Sequence, residues 1–130
     1  MRKVMVFGCF DPLHEGHRSL FRQAKRHGDA LVVVVARDSS IRRIKKREPR
    51  LNEEERRASV EREPLVDKAV LGRKDDFFDV IRTELPDVIV LGYDQQTFTE
   101  EQIWDALGDD SVEILRAVAL DPQKYKSSKI

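Results

Sequence analysis

The residues best equipped for chemistry lie together near the N-terminus: Gly8-Cys9-Phe10-Asp11-Pro12-Leu13-His14-Glu15-Gly16-His17, directly after the apolar run Val4–Phe7. Two histidines flank Gly16 where an amphipathic segment, Glu15–His27, begins. The first N–H groups of a helix lack partners and the dipole is positive there, so the place suits a phosphate. Imidazoles at that spot add hydrogen-bond donors for further phosphate oxygens. A strand–glycine–helix junction with one His is commonplace in α/β proteins. Two His around a Gly, joined to Gly-x-Phe-Asp, are far less expected by chance. The stretch reads as a phosphate site.

Three further clusters carry polar groups at useful places. Leu91-Gly92-Tyr93-Asp94-Gln95 offers a close backbone approach at Gly92, with acceptors and an amide at Asp94 and Gln95 for a base or ribose. Asn52-Glu53-Glu54-Glu55-Arg56-Arg57 is a charged helix start, and Tyr125-Lys126-Ser127-Ser128-Lys129-Ile130 carries a serine pair. The stretch from Arg37 to Arg50 is the densest in cations, and its plain reading is a solvated loop.

Short apolar runs alternate with amphipathic segments along the chain. Val4–Phe7, Ala30–Ala36, Lys68–Leu71 and Val88–Leu91 read as buried parallel strands, with Val112–Ala117 a weaker fifth. Helices are expected at Glu15–His27, Asn52–Arg62, Phe77–Glu84 and Glu100–Leu107. Asn52 is a good N-cap with three acids in the following turn, and Gly28, Gly72, Pro64 and Pro86 supply stops. Such alternation predicts one α/β domain over residues 1–130, a Rossmann-like, doubly wound five-stranded parallel sheet with right-handed crossovers. Ligands of such sheets bind beyond the carboxyl ends of the strands at the switch point. Gly8–Asp11, Arg37–Asp38 and Gly92–Gln95 would then share one edge.

Composition excludes several classes. No segment approaches the ~18 apolar residues of a membrane span, and the N-terminal apolar run is shorter than the ~7–15 residues of a signal-peptide core. The single cysteine, Cys9, rules out an internal disulfide framework and a cysteine-based zinc site, so cytoplasm is the expected location. Net charge is zero, yet residues 1–50 hold 13 Lys/Arg against 5 Asp/Glu. That basic half carries the phosphate site and suits an anionic substrate. No aromatic residues interleave with the cations to stack bases, so neither nucleic acid nor membrane is an expected partner.

The decapeptide resembles the GxFDxxHxGH signature of the HxGH nucleotidyltransferases, whose members transfer AMP or CMP from a nucleoside triphosphate to a phosphate-bearing acceptor. The pattern has Thr or Ser where this chain has Cys9. A thiol donates weakly, which leaves the backbone N–H as that position's asset. Ala-Arg-Asp at 36–38, the 66–72 block, Leu91–Gln95 and Tyr125–Ser128 look like the archaeal-type FAD synthases, small FMN adenylyltransferases, over almost the whole chain. The glycerol-3-phosphate cytidylyltransferases are close cousins.

The resemblance implies that His14 and His17 are the catalytic pair. The nucleotide would be held by Gly8, Cys9, Phe10, His14, His17, Gly92, Tyr93, Asp94, Gln95, Ser127 and Ser128. Asp11, Asp38, Lys46, Arg56 and Lys126 would serve the acceptor or its phosphate, with ATP and FMN as substrates and Mg²⁺ carried on the triphosphate. No residue cluster suggests a dedicated metal cage. Dimerisation is common in the superfamily. Phe77, Phe78, Phe98 and Trp104 are candidate flavin contacts, though such residues are most often core. Two rival readings stay open: cytidylyl transfer from CTP to glycerol 3-phosphate, and a non-catalytic nucleotide-binding domain.

Overall fold

The runs Val4–Phe7, Leu31–Val35 and Val88–Leu91 are continuously apolar because both of their faces are covered, as in parallel sheets generally. The computed structural model describes residues 2–72, 78–92, 100–108 and 112–118. Its strands are β1 (Lys3–Gly8), β2 (Ala30–Val35), β3 (Lys68–Leu71), β4 (Val88–Leu91) and β5 (Glu113–Arg116). Its helices are α1 (Glu15–Lys25), α2 (Asp38–Lys45), α3 (Glu53–Glu61), α4 (Asp79–Glu84) and α5 (Glu100–Leu107). The sheet is all parallel, in the order β3-β2-β1-β4-β5. After β3 the chain returns across β1 to place β4 on its other side, so the switch point lies between β1 and β4.

Alternation along β1 sorts the core into two layers. Val4 and Val6 face Leu20, Phe21 and Ala24 of α1 and Val60 of α3. Met5 and Phe7 face Val80 and Ile81 of α4 and Ile103 of α5. Helices on both faces make the sheet doubly wound, the expected Rossmann-like α/β fold. Each buried Val, Ile or Phe contributes roughly 1.5–3 kcal/mol, and the two layers together hold the carboxyl ends of β1, β2 and β4 in fixed register.

The fold departs from the expected elements in one respect that bears on the site. The cationic stretch, read as a solvated loop, begins with a helix, α2. Only Ile41 of its eight residues is buried, and no side chain caps its start. A single apolar contact leaves no periodic stripe to read. The fourth helix begins at Asp79 rather than Phe77, which lies outside the described residues, and α1 ends at Lys25 rather than His27.

Candidate active site

β1 ends at Gly8, whose carbonyl accepts from Ala36 N–H at the end of β2. Two residues later Phe10 adopts φ 54°, a left-handed conformation that costs a bulky residue energy. Packing holds it there. The Phe10 ring is 1 % exposed, and its centroid lies 4.9 Å from that of His17, edge-on, and 5.6 Å from that of Phe21. It also tucks over Gly8 so closely that a Cβ there would meet Phe10 Cζ at 2.7 Å. Gly8 is therefore required by the ring, and the ring fastens the loop to α1.

His14 is the N-cap of α1. Its Nδ1 accepts from Gly16 N–H at 3.0 Å, while its own N–H donates to His17 Nδ1 at 3.1 Å. This is a capping box written in histidines, and reciprocity between N-cap and N3 explains the spacing of the pair. The rings stack, with centroids 3.9 Å apart and planes 25° from parallel. Because each Nδ1 accepts, each neutral imidazole carries its proton on Nε2. Burial pushes the His17 pKa down to about 3, and the charges near His14, Lys45 and Arg18 push the same way. Burial, followed by the Arg18 charge, also lowers His14. Near neutral pH the pair is two neutral N–H donors, with no proton to shuttle.

Asp11, expected at the acceptor, is turned inward. Its carboxylate accepts from Arg50 N–H at 2.8 Å, Leu51 N–H at 2.9 Å and Arg47 Nη1 at 3.1 Å, and its side chain is 1 % exposed. Burial raises its pKa, but those three donors outweigh it and hold the carboxyl below its ordinary range. Asp11 organises the loop rather than facing a ligand.

Arg56 is the larger correction. The guanidinium expected to neutralise phosphate is completely buried. Its Nη1 donates to Cys9 O at 2.9 Å and Ala36 O at 2.6 Å, Nε donates to Leu51 O at 3.0 Å, and Nη2 meets Asp38 Oδ1 at 2.7 Å. Asp38 is thereby committed to Arg56, and its N–H donates to Glu53 Oε1 at 2.9 Å. Arg37 completes the lattice, donating to Gly72 O and to Glu53. The sequence places Arg37 at the ligand edge and Glu53 at a charged helix start but does not show this anchoring role, because a charged helix start looks the same whether its carboxylate is solvated or anchors a loop.

Lys46 is the left-handed C-cap of α2, at φ 56°. Its neighbour Lys45 is, with Arg18, a cation whose field reaches His17. Gly92 follows β4, its carbonyl accepting from Arg116 Nη1 at 2.8 Å. Tyr93, Asp94, Gln95, Lys126, Ser127 and Ser128 lie outside the described residues, as do Phe77 and Phe98. Phe78 packs on the second core layer, and the half-buried Trp104 donates its Nε1–H to Val112 O. Among the described residues no three His, Cys, Asp or Glu converge on a metal position, and no helix is long and apolar enough to cross a membrane.

The chain has counterparts among known proteins. Residues 5–130 match the model of the cytidylyltransferase-like family. The chain belongs to that family. Relatives within it include the FAD synthase of Aciduliprofundum boonei, 52 % identical over 79 % of this chain and 68 % of the relative. The FAD synthase of Methanocella arvoryzae is 39 % identical over 99 % of this chain and 91 % of its own. Among solved structures, a lipopolysaccharide core biosynthesis protein from Thermoplasma volcanium superposes with a TM-score of 0.86 at 39 % identity, covering 93 % of this chain and 99 % of that one. A protein of unknown function from Archaeoglobus fulgidus shares the fold, with a TM-score of 0.70 at 21 % identity over 89 % of each chain. As a family member the chain is a nucleotidyltransferase.

Proposed function

We propose that this chain transfers AMP from ATP to FMN, releasing FAD and pyrophosphate. The observation that carries the reading is the stacked, neutral His14–His17 pair with both Nε2–H groups left as donors. It is supported by relatives named FAD synthase at 52 % and 39 % identity. An FMN phosphate oxygen attacks the α-phosphorus in line, the new P–O bond forms, and the bond to the bridging oxygen breaks as pyrophosphate leaves. The attacking oxygen is already anionic, so no general base is needed. Catalysis then rests on positioning and on donors aimed at the charge that builds on the leaving group.

In this scheme His14 and His17 donate to the α- and β-phosphate oxygens. Backbone N–H groups at Cys9 and Phe10 line the same cradle, and Lys45, with Lys46 beside it, offsets phosphate charge. Gly92, Tyr93, Asp94 and Gln95 would serve the nucleoside, and Lys126, Ser127 and Ser128 the outer phosphates. A divalent cation fits as part of the substrate, ligated by phosphate oxygens and water, because the described carboxylates nearest the loop are already committed to arginines.

The test is pyrophosphate release from ATP or CTP against FMN or glycerol 3-phosphate. We expect ATP with FMN to be the productive pair. His14→Ala and His17→Ala, still folded, should each lose about 10²–10³-fold in rate, the usual effect of removing one such donor. Wild-type rates in both variants would refute the assignment, and turnover only with CTP would replace it with cytidylyl transfer.

A further inference from the structure

Arg56 is the largest fully buried side chain among the described residues, and its location under the phosphate loop raises the question of what that burial achieves. A trans peptide points its C=O and the next N–H in opposite directions. Among the described residues the sole cis bond is Asp11–Pro12, so the peptides on either side of Cys9 obey that rule. Gly8 O accepts from Ala36 N–H, toward β2, which turns the Cys9 N–H toward the β4 side. Cys9 O accepts from Arg56 Nη1, which also holds Ala36 O, so this guanidinium sits between the ends of β1 and β2. The Phe10 N–H must then point away from it. Neither N–H has an acceptor among the described residues. Both amide donors thus lie at the end of β1 without a protein acceptor, the Cys9 N–H on the β4 side and the Phe10 N–H turned from Arg56.

We propose that Arg56 is a positioning residue: by gripping the Cys9 and Ala36 carbonyls it fixes the Cys9–Phe10 peptide with its N–H turned toward the phosphates. The proposal rests on the adenylyl-transfer reading. It assigns Arg56 no contact with substrate, since the guanidinium is fully buried and four of its five N–H donors are already committed within the protein. Asp38 is the counter-ion that keeps the buried cation paired, and it acts through Arg56 rather than on the acceptor. The left-handed Phe10 completes the device, because its buried ring prevents the loop from relaxing once the carbonyl is gripped.

Arg56→Lys keeps the charge but cannot reach three carbonyls and a carboxylate at once. We expect kcat for pyrophosphate release to fall at least about tenfold while KM for ATP stays within about threefold, because the donors lost act on developing charge. A phosphate ligand would show the reverse, a raised KM for ATP with kcat kept, and that result overturns the proposal, as does no change in either constant. Should the variant fail to fold, the wild type answers by NMR. On saturation with the α,β-methylene analogue of ATP, the Phe10 amide should shift while the Arg56 side-chain N–H signals stay put. Movement of the Arg56 signals with a static Phe10 amide would sink it. Failure of the functional reading looks different: wild-type protein would release no pyrophosphate with any substrate pair. The unliganded Phe10 amide, compared between wild type and folded Arg56→Lys, would still decide the positioning role, an unchanged signal counting against it.

Discussion

His14 and His17 each use one ring nitrogen for structure and keep the other for chemistry. The Nδ1 atoms close the start of α1, and that closure fixes which nitrogen bears the proton. Burial of His17, and the charges around it, then hold it neutral. A consequence follows for pH. The folded His17 pKa is about 3 against an ordinary 6.5, so the unfolded chain binds the extra proton first as pH drops. The stability this group contributes is complete above about pH 6.5 and declines toward pH 3, by about 1.4 kcal/mol per pH unit at most. Melting temperatures of wild type and His17→Gln between pH 4 and pH 8 should converge on the acid side, and parallel curves would contradict the neutral assignment. For the same reason His17 should add no ionisation to the rate profile between pH 5 and pH 8.

At the scale of elements, the β1–α1 loop and the start of α3 are one unit. Gly8 admits the Phe10 ring, Asp11 gathers the Arg50 and Leu51 N–H groups, and Arg56 returns from α3 to hold Cys9. Gly8→Ala places a methyl 2.7 Å from Phe10 Cζ, so the ring must move. Overpacking of this kind costs about 1–3 kcal/mol, and because Phe10 leans on His17 the turnover rate should fall as well. Thermal melts and pyrophosphate assays of this variant check both effects. The cap of α3 should behave otherwise. Asn52 Oδ1 accepts from Glu55 N–H and Glu55 Oε1 accepts from Asn52 N–H, a capping box whose own side-chain bonds include no residue of the β1–α1 loop. Asn52→Ala should cost about 1 kcal/mol of stability, seen as an earlier denaturation midpoint, with kcat nearly unchanged well below the melting temperature.

For the whole molecule, the topology and the charge distribution work together. Order β3-β2-β1-β4-β5 opens the crevice between β1 and β4, and the basic half of the sequence supplies α1, α2 and the loop beside it. Arg42 and Arg47 are paired with Glu48 and Asp11, whereas Lys45 keeps its field on His17. An anionic substrate is therefore drawn by charges at the surface, where salt screens within ~8–10 Å. Raising ionic strength from about 50 to about 500 mM should increase KM for ATP severalfold with little change in kcat. A KM indifferent to salt would assign binding to the neutral donors alone.

The sequence by itself determined the class of fold and the place of the chemistry. Four apolar runs buried on both faces require a parallel sheet, and two histidines in capping-box spacing beside Gly-x-Phe-Asp require a helix start with donors. Both are local signals, readable because periodicity and capping act over a few residues. Tertiary structure decided what the charges do. Arg56, Asp38 and Asp11 look like solvated ligands in a linear reading, yet packing of α3 against β2 and β3 takes Arg56 fully out of water. A cation there must find every acceptor within reach, and the acceptors available are the carbonyls that shape the phosphate loop. The same logic hid α2, a helix held by Ile41 and by its Asp38 rather than by a stripe of its own. Which residues touch phosphate and which hold those residues in place is a question of burial, and burial belongs to the assembled fold.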